Sequence, residues 1–232
     1  MPVRKTKKRT KILSLFDKNR KYKLEEAIST VKQCCLANFD ESLDLSVELG
    51  VDAKKSEQVV RGVVVLPHGN GKKKKVLAIC PSGEEEHCLT AGADYAGNEE
   101  YLKKLAEGWC DCDVIVTTPT MMRDFTRLGK VLGPKGLMPN PKTGGVTTDL
   151  VKTIKDIKGG RIEFRCDKDG YVHNSIGRKS FQDDKIVENI KALVAALVKA
   201  KPSSSKGTFL KSITLSSTMG CGVELDINSI SR

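Results

Sequence analysis

Eight cysteines and three histidines are the residues of this 232-residue chain best suited to metal binding or covalent chemistry. Each such use demands its own spacing. Cys34, Cys35, Cys80, Cys88, Cys110, Cys112, Cys166 and Cys221 contain no C-x-x-C pair. Cys110-Asp111-Cys112 is tighter than a usual ligand pair, and His87-Cys88 has no second dyad at ribbon spacing. These thiols read as small apolar side chains in strands and helices, so no metal is expected. His68, His87 and His173 fall in a linker, a helix and a strand, with no G-x-S-x-G motif nearby. Carboxylates are dispersed, without an acid–base pair. No catalytic residue and no cofactor is expected.

Three glycine-bearing stretches could meet a ligand instead. Gly69–Lys75 looks like a phosphate loop but lacks the G-x-x-x-x-G-K-[ST] spacing, so a solvated hairpin tip is expected. Gly129–Gly145 holds five glycines, three prolines and three lysines, with Arg127 just before it. That composition predicts a rigid loop, neither helix nor strand. It reads either as a phosphate-facing platform of backbone N–H groups and Lys or as an ordinary long surface loop. Ser216–Gly222 joins three hydroxyl-bearing residues, Met219 and two further glycines into a loop a partner backbone could approach closely. As bare structure it is a hairpin turn.

Charge narrows the class of partner. The net charge is +11, and it is unevenly placed. Residues 1–23 carry ten Lys/Arg against one acid, 24–66 are net acidic, 67–157 nearly balanced, and 158–232 basic by five. Both ends are thus positive, and folded together they make one basic face that attracts phosphate backbones through counterion release. Hydrophobic residues make up 39% of the chain, enough to bury a core. No apolar run reaches the ~20 residues of a membrane span, and no apolar segment follows the N-terminal cations. A soluble cytoplasmic protein without membrane contact is expected.

The elements that must position these residues come in two styles. Residues 1–12 read as a mobile basic arm, and a helix is expected over 23–36. Residues 42–49 alternate, with Leu43, Leu45, Val47 and Leu49 on one side and polar residues on the other, predicting a half-buried strand. Val59–Leu66 is a second strand. After Pro67, Val76–Cys80 and Val114–Thr117 are continuous apolar runs, each followed by a helical pattern at Glu84–Ala91 and near Met121–Leu128. Such strands belong to a parallel sheet covered on both faces, closed by a helix at Val151–Ile157. Alternation resumes at Arg161, runs through Tyr171–Ile176, and follows a helix at Lys185–Ala200 into two last strands. The matching ends predict a split α+β domain of residues 1–66 and 158–232, with a small three-layer α/β domain inserted at 67–157 and hinged by the two crossings.

Phe39-Asp40-Glu41-Ser42, Val60–Gly69, Leu128–Gly145, Phe164–Gly170, Lys206–Leu210 and Thr218-Met219-Gly220 stand in an order and spacing that is highly specific. On these motifs the chain resembles the bacterial form of the ribosomal protein L-one family, the universal protein of the large-subunit side stalk beside the tRNA exit site. The resemblance implies a split RNA-binding domain and a Rossmann-like insert. By position it places RNA contacts on Phe39, Ser212, Thr218, Met219 and Gly220, with Arg165, Lys168 and Arg178 as flanking cations. Cys221 stands where the family commonly has Pro. The partners implied are large-subunit ribosomal RNA, exit-site tRNA, other large-subunit components, and the protein's own operon mRNA, whose translation it would repress. A nicotinamide enzyme is disfavoured by the missing G-x-G-x-x-G fingerprint, and a non-specific coating protein is distinguished by its salt dependence.

Overall fold

The computed structural model describes residues 10, 12, 15–17, 20–52, 55–81, 83–205 and 207–230. The chain divides into two compact units, Met1–Gly71 with Ile162–Arg232, and Lys72–Arg161. These boundaries lie a few residues from 66 and 158, and local bonds explain the shift. The fully buried Asn189 side chain accepts from His68 N–H and donates to the carbonyls of Gly69 and Ile176, tying 68–69 to the first unit. Lys158 bonds Asp94, and the Arg161 guanidinium donates to the Thr143 carbonyl, tying 158–161 to the second.

In the first unit, α1 (Leu24–Cys34) precedes β1 (Ser42–Leu49) and β2 (Arg61–Val65). Leu24, Ala27, Ile28 and Val31 form the buried stripe of α1, and Glu25 and Glu26 suit the positive end of its dipole. After the second unit come β6 (Arg161–Arg165), β7 (Tyr171–Arg178), α6 (Asp183–Lys199), β8 (Leu210–Ser217) and β9 (Val223–Glu224). Four strands make an antiparallel sheet in the order β7-β1-β8-β9, and β2 pairs with β6. The helices α1 and α6 and the β2–β6 ribbon share one core with Leu43, Leu45, Val47, Leu49, Ile213 and Leu215. The other sheet face carries polar side chains that are exposed or half-buried.

The second unit contains β3 (Val76–Ile79), α2 (Glu85–Thr90), β4 (Tyr95–Gly97), α3 (Glu99–Ala106), β5 (Val114–Thr117), α4 (Met122–Leu132) and α5 (Leu150–Lys158). Its sheet is parallel, in the order β4-β3-β5. Val76, Ala78 and Cys80 pack towards Cys88 of α2 and Ile154 of α5, whereas Leu77 and Ile79 pack towards Leu105 of α3 and Phe125 of α4. Two cores on opposite faces of one sheet are the three layers.

Four local expectations are corrected. Residues 1–9 and 11 of the expected arm lie outside the described residues, but Thr10 and Ile12 are helical, and Ile12 is only 5% exposed. An apolar side chain removed from water is no part of a mobile arm. Gly69–Lys75 is no hairpin tip; it connects β2 to β3, with Gly69 and Gly71 at positive φ. The helix near Met121–Leu128 continues through Gly129 to Leu132, because Phe125, Leu128 and Leu132 complete one buried stripe. The final apolar pattern through Ile227 gives only a two-residue strand followed by a 3₁₀ turn at Ile227–Ser229.

Candidate nucleic-acid interface

The Gly129–Gly145 segment does not offer the backbone platform it suggested. The N–H groups of Gly133, Gly136, Leu137, Thr143, Gly144 and Gly145 all bond to carbonyls within or just before the segment. Lys135 donates to the Gly108 carbonyl and the Cys110 thiol. A phosphate would have to displace these bonds.

The Thr218–Gly222 loop is organised differently, around the first residue of β1. Thr218 N–H donates to the Ser42 carbonyl at 3.1 Å, and Thr218 Oγ1 accepts from Ser42 N–H at 3.1 Å. Across β1, Ser42 faces Arg178 of β7. Arg178 donates to the Asp40 carbonyl at 3.1 Å, and the Asp40 carboxylate accepts from both Ser180 N–H and Ser180 Oγ. Beneath them lies Glu41, fully buried. Its two oxygens accept from Ala37 N–H at 3.1 Å and from Met219 N–H at 3.0 Å. One carboxylate therefore ties the Phe39 turn to the Met219 loop.

Burial pushes the Glu41 carboxyl up, but the Met219 N–H, the Ser217 hydroxyl, the Ala37 N–H and the Lys179 charge together hold it below its ordinary value. The buried Ser217 hydroxyl makes no hydrogen bond of good geometry, yet sits near enough to favour the charged form. A Cβ on Gly220 would come 2.3 Å from Ser217 Oγ, so any larger residue would push that buried hydroxyl aside. On this framework Phe39 and Met219 project into solvent at 54% and 67% exposure. Large apolar side chains that exposed on fixed backbone suit contact with a partner better than packing within the chain.

Not every predicted residue joins this group. Ser212 faces Glu48 at the far end of β1 and donates to its carboxylate at 3.0 Å. Thr218 lies six residues further along the chain, about 20 Å away at the rise of a strand. Arg165 and Lys168 are exposed, and Lys168 lies in the turn before Tyr171, also opposite Glu48. Phe39, Arg178, Thr218, Met219 and Gly220 thus mark one end of the sheet, and Ser212 and Lys168 the other.

Between the ends runs a row of hydroxyls that the motifs did not single out. Ser42 and Ser46 of β1, Ser175 of β7 and Thr214 and Ser216 of β8 share the polar face with Ser212. The rings of Tyr171 and His173 stack on it, 6.0 Å apart and 12° from parallel, and His173 Nδ1 bonds Ser46 Oγ. Asp44 and Glu48 occupy the same face. Carboxylates there discourage phosphate, whereas hydroxyls and ring faces suit ribose 2′-OH groups and unstacked bases. The parity of β1, β7 and β8 was the available signal, since even-numbered β1 and β8 residues lie on the polar side.

The model of the Ribosomal protein L1p/L10e family matches residues 31–221, most of the chain and every one of the sites above. The chain belongs to that family. Curated L1-family relatives agree along almost the whole length. The large ribosomal subunit protein uL1 of Amoebophilus asiaticus is 50% identical over 97% of each chain. The protein of the same name from Flavobacterium psychrophilum is 49% identical over 97% of this chain and 98% of its own. Within this L1-family chain, no helix among the described residues is long and apolar enough to cross a membrane.

Proposed function

We propose that this protein is a component of the large ribosomal subunit, where the unit built from both chain ends holds a folded segment of ribosomal RNA. The observation that carries the reading is the pair of exposed apolar side chains, Phe39 and Met219, on backbone fixed by one buried carboxylate. Phe39 and Met219 are the anchors, Thr218 and Gly220 give close backbone approach, and Ser212 extends the contact along the hydroxyl face. Arg178, Arg165 and Lys168 supply phosphate contacts at its margins. Family membership and two uL1 relatives of matching length support the ribosomal setting.

Two further roles are part of the proposal. A folded segment of the protein's own mRNA with a similar shape would compete for this surface, and its capture would repress translation. The second unit, with its own sheet and cores, would meet deacylated tRNA at the exit site. No enzymatic role is proposed.

Salt separates this reading from non-specific coating. A folded side-stalk ribosomal RNA fragment and an unrelated hairpin of equal length are titrated with the protein at low and high salt. Affinity for the hairpin should collapse, because its binding is counterion release alone, while the preference for the stalk fragment persists. Equal loss for both RNAs would reject a shaped interface.

A further inference from the structure

Two cysteines end α1, and a third stands in the Thr218–Gly222 loop that lies against that helix end. Cys34 and Cys35 close the helix, both buried, and Cys221 follows Gly220 half-exposed. The loop lies against this helix end: the Cβ position of Gly220 is 3.6 Å from the Cys34 carbonyl oxygen. Burial, then the neighbouring Cys221 thiol, then Cys35 push the Cys34 thiol up to about 11. Cys35 is turned back along its helix, with its thiol donating to the Val31 carbonyl at 3.2 Å. A Cys34–Cys35 bridge would have to close across one peptide bond at a helix end, far from relaxed disulfide geometry.

We propose that Cys34 and Cys221, brought together by the end of α1 and the loop after β8, form a dithiol that a hydroperoxide converts to a disulfide, pinning the loop and weakening its RNA contact. The inference rests on reading this loop as part of the RNA interface. Half-exposed Cys221 meets the oxidant first. Its thiolate attacks the terminal peroxide oxygen, the O–O bond breaks, and the alcohol or water departs with a proton. The Cys221 sulfenic acid is then attacked by the Cys34 thiolate. The S–O bond breaks, and hydroxide leaves, taking up the Cys34 proton as water. Two thiols lose two electrons and two protons, and one peroxide is reduced.

The geometric consequence follows from what can move. Cys34 sits in a helix packed on β8, so the loop must come to it. Drawing Cys221 inward displaces its neighbours in the loop, and Met219 N–H, two residues away, comes off Glu41.

The test uses the full reduced chain. It is treated with hydrogen peroxide, its remaining thiols are capped with iodoacetamide, and tryptic peptides are mapped. Cys34 and Cys35 fall in one peptide, so C35S is mapped alongside. The Cys34–Cys221 linkage should be the first to form, persist in C35S, and be missing from C34S and C221S. Affinity for the stalk RNA fragment should fall about tenfold on oxidation, return with dithiothreitol, and not change with peroxide in C221S. Exchange of the Met219 amide hydrogen should quicken in the oxidised form. Failure of the linkage to form, or its formation with unchanged affinity and exchange, overturns the proposal. If the reduced chain does not bind the RNA, the interface reading fails instead, and the peptide map and amide exchange still decide the dithiol.

Discussion

Glu41→Ala destabilises the unit built from both chain ends by about 2–4 kcal/mol, because two N–H donors lose their buried, charged acceptor. The donors belong to Ala37 and Met219, so the Phe39 turn and the Met219 loop lose their common anchor. RNA affinity should fall as well, although Glu41 is fully buried and touches no RNA. Glu41→Gln keeps the shape but offers one acceptor for two donors, and should fall between wild type and Glu41→Ala. The sign of the pH effect follows from the folded value lying below the usual one near 4.5. The stabilisation is fully present above that usual value and is lost as pH falls through the lower, folded one. Urea melts of wild type and Glu41→Gln should therefore differ at pH 7 and converge in that acid range. A difference that stays constant down the pH range would mean that the Glu41 charge contributes nothing.

Met219→Ala should weaken binding of the stalk RNA fragment by about 1–3 kcal/mol, the loss typical of a desolvated interface anchor. Lys72→Ala should cost far less. Lys72 is exposed at the start of the second unit, outside the unit that carries the Phe39 and Met219 loops, and the charge of an exposed lysine is largely screened. Met219 itself packs so little within the chain that its loss should leave folding stability nearly unchanged. Isothermal titration of both variants, alongside their urea melts, makes the comparison. Equal losses of affinity would show that the interface lies elsewhere.

The strand parity of residues 42–49 was legible in full, since Leu43, Leu45, Val47 and Leu49 are all buried. Carried two residues back, the same parity puts Glu41 on the buried side. A carboxylate in that position signals a bonded anchor, but which N–H groups it holds depends on a loop 178 residues away. The three-layer character of the second unit was legible from its continuous apolar runs. β4 and α3 were not: Tyr95-Ala96-Gly97 is a strand only because it pairs with β3, and Leu102 and Leu105 alone make a weak helical stripe. Gly129 disguised the end of α4. Its helix propensity is poor, but a Cβ there would meet nothing within 4 Å, and the buried Leu128 and Leu132 outweigh it. The motifs found both ends of the polar sheet face, yet the hydroxyl row joining them required the β7-β1-β8 order, which pairs residues over 120 positions apart.

The central claim is that the unit built from both chain ends carries the RNA site. Each unit has its own cores, with no buried residue shared between them, so each should fold alone. The decisive measurement is the affinity of the stalk RNA fragment for a chain joining residues 1–71 to 162–232 through a short Gly/Ser linker, beside residues 72–161 alone and the full protein. The joined chain should bind nearly as tightly as the full protein, and residues 72–161, which lack Phe39, Glu41 and Thr218-Met219-Gly220, should bind weakly. Affinity residing in residues 72–161, with little in a properly folded joined chain, would contradict the account.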